Sequence, residues 1–174
     1  MSYRASSALV VDRAPSRIGF GGGCHWCTEA VFQSLYGVNQ VEQGFCRSDP
    51  PFESGSEAVI AHFDPDVIGL HTLIAVHLCT HAATSAHKMR GKYRSAIYVF
   101  DDAQANLAKD ALAVQAGAFD APLVTNILKY RGFEPSDPRF QNYYATRPER
   151  PFCKKYIDPK LAEIRKRFGA YAKL

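Results

Sequence analysis

The chain has 174 residues, enough for one domain with its own core. With 47% hydrophobic and 22% charged residues it is not a disordered chain, a collagen-like chain or a disulfide-stapled miniprotein. The net charge of +4 is too small for a dedicated nucleic-acid binder, and it is local: Ala145–Leu174 carries nine basic and three acidic residues, so the rest sums to −2. Residues 1–16 read as a flexible leader, because the apolar piece Ala8–Val11 is broken by Asp12, Arg13 and Pro15 and fits neither a signal nor a transit peptide. Residues 17–174 read as one domain. No run approaches the roughly 20 apolar residues of a membrane-spanning helix. Five cysteines in a chain that can bury a core without bridges fit a reducing compartment, so a cytoplasmic location is expected.

Arg17–Phe20 reads as a short strand ending in Gly21-Gly22-Gly23. Cys24–Tyr36 has helical spacing of Trp26, Ala30, Val31 and Leu35, with Gly37 as its stop. Val38–Phe45 is a strand of imperfect alternation, Cys46–Gly55 a loop around Ser48-Asp49-Pro50-Pro51, and Ser56–Phe63 a well-patterned strand stopped by Asp64-Pro65-Asp66. Leu70–His81 is helical and Ala82–Lys92 a loop. Ser95–Phe100 is a strand, after which Asp101-Asp102 caps a helix to about Ala116. Leu123–Tyr130 is a strand, Arg131–Arg150 is irregular, and Pro159–Phe168 is a last helix. This order predicts a mixed sheet with helices on one or both faces.

Chemistry concentrates at Gly21-Gly22-Gly23-Cys24-His25-Trp26-Cys27-Thr28-Glu29. Cys24 stands at the first turn of a helix, where free N–H groups and the dipole favour thiolate over thiol. Cys27 is three residues on, on the same helix face and within disulfide reach. The competing reading of Cys24 is a small buried apolar residue after a glycine turn. The run is no dinucleotide fingerprint, since Cys24 stands where the third glycine belongs.

The same run resembles the signature of the type A peptide methionine sulfoxide reductases, Gly-Gly-Gly-Cys-Phe-Trp followed two residues later by Glu. The likeness continues through Gly44-Phe45, Glu57-Ala58-Val59, Phe63-Asp64-Pro65, Tyr93-Arg94-Ser95-Ala96-Ile97-Tyr98, Gln141-Asn142-Tyr143-Tyr144 and Pro148-Glu149-Arg150-Pro151-Phe152-Cys153, over about residues 17–168. It implies an α+β fold: a two-layer, ferredoxin-like sandwich with a mixed sheet and an irregular C-terminal arm. It also implies that Cys24 attacks the sulfur of a methionine S-sulfoxide and becomes a sulfenic acid. Glu57 matches the family's proton donor, Tyr93 a hydroxyl on the sulfoxide oxygen, and Trp26 the aromatic wall for the methyl group. A second thiol then forms a disulfide that thioredoxin reduces. Cys27 is the first choice for it and Cys153 the runner-up. No cofactor or metal is implied, and a monomer is expected.

Four positions depart from that pattern. His25 replaces an apolar Phe with a titratable ring, and Phe45 replaces a tyrosine that would bond the oxygen. Phe140 replaces a His, and the shortened stretch His81–Tyr93 lacks the family's substrate-holding Asp. A free or smaller sulfoxide therefore also fits as substrate. Rival readings are a weak or inactive relative that binds oxidised methionine, and a Cys24-x-x-Cys27 thiol–disulfide oxidoreductase. His77 and His81 stand at i and i+4, but Leu78 occupies the place of a zinc protease's glutamate. Glu29 reads as a carboxylate supporting the site or facing solvent, and the C-terminal basic cluster as a solvated helix face.

Overall fold

Alternation along β1 (Ser16–Gly21) sends Ile18 and Phe20 to one side of a sheet and sets Gly19 on the other, against Tyr98. The computed structural model describes residues 16–173, so the proposed leader, apart from Ser16 at the start of β1, lies outside the described residues. After α1 (His25–Gln33) come β2 (Val38–Arg47) and β3 (Ser56–Phe63), then α2 (Leu70–Cys79), β4 (Ala96–Val99) and α3 (Asp102–Ala116). They are followed by β5 (Asn126–Lys129), β6 (Gly132–Pro135), the single turn α4 (Tyr143–Thr146) and α5 (Asp158–Arg167).

The six strands form one sheet in the order β5-β4-β1-β3-β2-β6. β4 and β5 are parallel and the other neighbours antiparallel. The fold is thus α+β with a mixed sheet. One face carries the main core, in which Ile18, Phe20, Val59 and Ala61 meet α1, α2, α3 and α5. Phe20 stacks on Phe32 of α1 at 4.5 Å. The other face is covered by a smaller cluster of Cys46, Ala58, Ile60, Ala96 and Tyr98.

Several boundaries differ from the sequence reading. α1 stops at Gln33 because the next backbone groups turn to the C-terminal tail: Tyr36 N–H donates to Tyr171 O, and Leu35 bridges Ala172. β2 runs on to Arg47, and part of the stretch expected to be irregular is β6, which pairs Phe133 with Cys46 and Gly132 with Arg47. α2 ends at Cys79, where the Thr80 hydroxyl turns back to Val76 O at 2.7 Å. Asp101 caps α3 as expected, accepting from Gln104 N–H at 2.7 Å. Cys153–Ile157 forms a wide π-helical turn leading into α5. Among the described residues no helix is long and apolar enough to cross a membrane.

Candidate active site

β1 ends in glycines because its continuation is crowded. A Cβ on Gly22 would lie 2.5 Å from the His81 ring, and one on Gly21 would lie 2.9 Å from Arg94 O. Arg90 ties this turn to the 82–92 loop, donating to Gly22 O, Tyr93 O, Ala82 O and Ser85 O at 2.6–3.1 Å. The chain leaves the turn at Cys24, the N-cap of α1, whose carbonyl accepts from Cys27 and Thr28 N–H.

Cys24 is half-buried and all five cysteines are free thiols. The neighbouring Cys27 thiol and, more weakly, the Trp26 and Cys27 amides favour the Cys24 thiolate. Together they outweigh burial and the nearby Glu57 charge, so the Cys24 pKa falls below its ordinary value. Cys27, beside that thiolate, is pushed far above the normal thiol range.

β3 brings Glu57 to the same place. Across the β2–β3 register it stands opposite Phe45, whose ring meets the His25 ring edge-on at 5.2 Å. His25 Nδ1 donates to Gly44 O at 2.7 Å, and its Nε2 lies 3.0 Å from Glu57 Oε1. His25 is 5% exposed and Glu57 7%, and Glu57 Oε2 is buried with no partner. Burial lowers the His25 pKa against the opposing pull of Gly44 O and the Glu57 charge. The strand after the loop is locked to β3: Ser56 Oγ donates to Lys92 O at 2.9 Å and accepts from Arg94 N–H at 2.8 Å. Half-buried Tyr93 is thereby set beside β3. The exposed Lys92 ammonium lies 5.0 Å from the centroid of the Tyr93 ring and within charge range of Glu57 and Cys24, and these neighbours raise its own pKa.

Trp26 turns to the C-terminal arm. It stacks on Tyr143 at 4.1 Å with Phe140 and Phe152 beside it, and its Nε1 is buried without a partner. Glu29, 1% exposed, holds that arm in place. Its Oε1 accepts from Tyr143 N–H and Gln43 Nε2, both at 3.0 Å, and Oε2 from Asn142 N–H at 3.1 Å. Burial nonetheless raises the Glu29 pKa. Gln43 also donates to Phe140 O and accepts from the Ser136 hydroxyl.

A cavity of about 280 Å³ opens beside Cys24 and Cys27, bounded by Thr80, His81, Phe152 and Tyr156. Glu57, Trp26, Phe45 and Tyr93 do not line it. The thiol pair therefore meets two environments: this hollow, and the His25–Glu57 side. Cys153 is fully buried and close enough to Cys27 for their charges to oppose each other. Cys46 lies in the core of the opposite sheet face. His77 and His81 stack at 4.2 Å, with His77 Nε2 on Gly21 O and His81 Nδ1 on His77 O. Among the described residues neither joins a group of three or more ligands able to hold a metal ion.

The structure thus gathers Cys24, Cys27, His25 and Glu57, with Phe45 and Tyr93 at the margin. The sequence reading missed Lys92 and Arg90, which sit in a loop without pattern. It also missed the specific task of Glu29, whose partners lie over a hundred residues away.

The peptide methionine sulfoxide reductase family matches residues 16–172. A peptide methionine sulfoxide reductase MsrA of Chromobacterium violaceum is 38% identical over 166 residues, 86% of this chain and 94% of that protein. The MsrA of Deinococcus radiodurans is 34% identical, over 86% of this chain and 81% of its own. Among solved structures, methionine sulfoxide reductase A of Corynebacterium diphtheriae superposes with a TM-score of 0.69 at 22% identity, covering 80% of this chain and 78% of its own. Mxr1 of Saccharomyces cerevisiae in complex with Trx2 does so with 0.60 at 17%, covering 79% and 91%. The family match across nearly the whole chain, with the thiol pair and the carboxyl gathered where the glycine turn meets α1, makes this chain a member of the peptide methionine sulfoxide reductase family.

Proposed function

We propose that this chain reduces methionine S-sulfoxide, in proteins or free, to methionine. The observation that carries the reading is a thiol of lowered pKa at a helix N-cap, beside a buried carboxyl whose Oε2 has no protein partner. Cys24 thiolate attacks the sulfoxide sulfur while Glu57 protonates the oxygen. The sulfur–oxygen bond of the substrate breaks, an oxygen bond to the Cys24 sulfur forms, and the thioether leaves. Cys24 sulfenic acid has then lost the two electrons that the substrate gained. Tyr93 and Phe45 border the oxygen, and Trp26 backs the methyl group from the arm side.

Cys27 is the nearest thiol in sequence and lines the same hollow as Cys24, so we take it as the resolving thiol that displaces water to form the disulfide. Cys153 is next in line, within charge range of Cys27. A thioredoxin-type dithiol closes the cycle; the complex of the structurally similar Mxr1 with Trx2 supports this step. We further read β4-β1-β3-β2 with its two crossover helices as a two-layer, ferredoxin-like core, residues 17–174 as one domain, the chain as a monomer, and its location as cytoplasmic.

Wild-type protein should turn over the S epimer of a dabsylated methionine sulfoxide with dithiothreitol and leave the R epimer. Cys24→Ser should abolish turnover, and retained turnover in that variant refutes the assignment. The presence of Cys24 and Cys27 on one hollow also favours a second reading, general thiol–disulfide exchange. That reading demands reduction of insulin and indifference to sulfoxides.

A further inference from the structure

We propose that His25 and Glu57 act as a single acid, with His25 as the positioning residue that holds Oε1 and leaves Oε2 to the sulfoxide oxygen. The inference rests on the reductase reading above and assigns its proton to a pair of residues instead of a lone carboxyl.

The argument is one of donors and lone pairs. An Nδ1 2.7 Å from the Gly44 carbonyl oxygen must carry a hydrogen, because a carbonyl only accepts. Nε2 therefore faces Glu57 Oε1 either with a bare lone pair or, in the imidazolium, with a second proton. At 3.0 Å, two bare lone pairs repel, and the contact is too buried for water to separate them. At least one proton must lie between Nε2 and Oε1, on one atom or the other. That shared proton ties the two side chains into one hydrogen-bonded unit.

The charged and titratable groups facing this pair are few. Cys24 stands at the N-cap of α1, and Lys92 and Tyr93 follow the 82–92 loop. β2 contributes the uncharged Phe45 ring and the Gly44 carbonyl. Burial disfavours a lone imidazolium, whose counterion is Glu57; once both members of the pair are protonated, the Cys24 thiolate within charge range of Glu57 balances them. This gives a balanced route. The thiol proton of Cys24 passes to the pair, leaving thiolate beside a doubly protonated His25–Glu57. As the thiolate attacks, Oε2 gives its proton to the sulfoxide oxygen. The carboxylate left behind keeps the Nε2–H hydrogen bond on Oε1. No proton from outside the site is needed, and the sum is thiol plus sulfoxide giving sulfenic acid plus thioether.

The test combines spectroscopy with pH–rate profiles. With ¹⁵N-histidine and ¹³C-glutamate labels, the His25 Nε2 and Glu57 carboxyl signals should move at one shared midpoint, while Nδ1 stays protonated throughout. In Glu57→Gln the His25 midpoint should shift by at least about one pH unit, since one unit is the scale of coupling in such pairs. In His25→Phe, kcat for the S epimer with dithiothreitol should fall about tenfold or more, and at least one limb of the kcat/KM profile should move. His25→Gln, whose amide can still reach Oε1, should recover part of kcat and leave the moved limb in place. Independent midpoints in the wild type, or a His25→Phe profile that keeps both limbs while only its height changes, overturns the dyad and leaves the reductase reading standing. Co-titration in a wild type that reduces no sulfoxide overturns the reductase reading itself, and the pair then loses its task.

Discussion

Replacing Glu29 by alanine is the sharpest structural test of how the C-terminal arm is held. The carboxylate accepts from two backbone N–H groups of the arm and from the Gln43 amide, all at 3.0–3.1 Å; the Tyr143 and Gln43 bonds are buried and the Asn142 bond is partly so. Orphaning the two buried donors costs about 1–3 kcal/mol each, roughly 2–6 kcal/mol together, and the partly buried Asn142 N–H adds less. Part of that is offset, because burying the carboxylate is itself unfavourable, as its raised pKa records. The middle of the range, about 3–4 kcal/mol, is the working figure, a large share of the 5–15 kcal/mol typical of a domain. With a urea slope of about 2 kcal/mol per molar, the midpoint should fall by about 1.5 M. Trp26 is the only tryptophan and it stacks on Tyr143 of the arm, so its emission reports the arm directly. Loss of the clamp should red-shift that emission before the main transition. Glu29→Gln, with one accepting oxygen instead of two, should fall between. An alanine variant whose midpoint drops by less than about 0.3 M, with wild-type emission, refutes the reasoning.

Other outcomes follow from the site. Because Cys24 titrates below its ordinary value of 9.0, alkylation by iodoacetamide should be half-maximal below pH 9.0 and faster at neutral pH than for an unstructured cysteine. Cys27→Ala removes the leading cause and should move that midpoint upward; mass-mapped labelling reads both. Gly22→Ala places a methyl against the His81 ring, which His77 O and Ser95 pin on two sides. It should cost about 1–3 kcal/mol and lower Tm by about 3–9 °C in a thermal melt. An unchanged Tm would mean that His81 swings away freely.

The elements with strong local periodicity were readable without coordinates. β3 has the predicted bounds, and the Asp101 cap sets the start of α3. That Cys24 and Cys27 line one hollow was legible because i and i+3 share a helix face. β6 was not, since Gly-Phe-Glu-Pro is short, bears both strand-breaking residues, and is a strand only through pairing with the end of β2. The end of α1 was misjudged because Leu35 and Tyr36 are claimed by residues at the far end of the chain. The His25–Glu57 contact was equally hidden: its members lie on a helix and a strand, and no spacing rule joins them. What single-sequence reading retained was that His25 is a titratable ring where the family's wall is apolar.

The place of β1 governs how the chain must assemble. It is the first strand among the described residues, yet it lies between β3 and β4, with Gly19 opposite Ile60 on one side and Tyr98 on the other. Its partners are therefore dozens of residues downstream, and during synthesis it leaves the ribosome with both edges bare. A nascent chain ending just after Phe63 can pair only one of those edges; the second waits for β4. Long loops must close before the glycine turn and its thiol are framed on both sides, which favours slow, all-or-none folding over stepwise growth from the N-terminus.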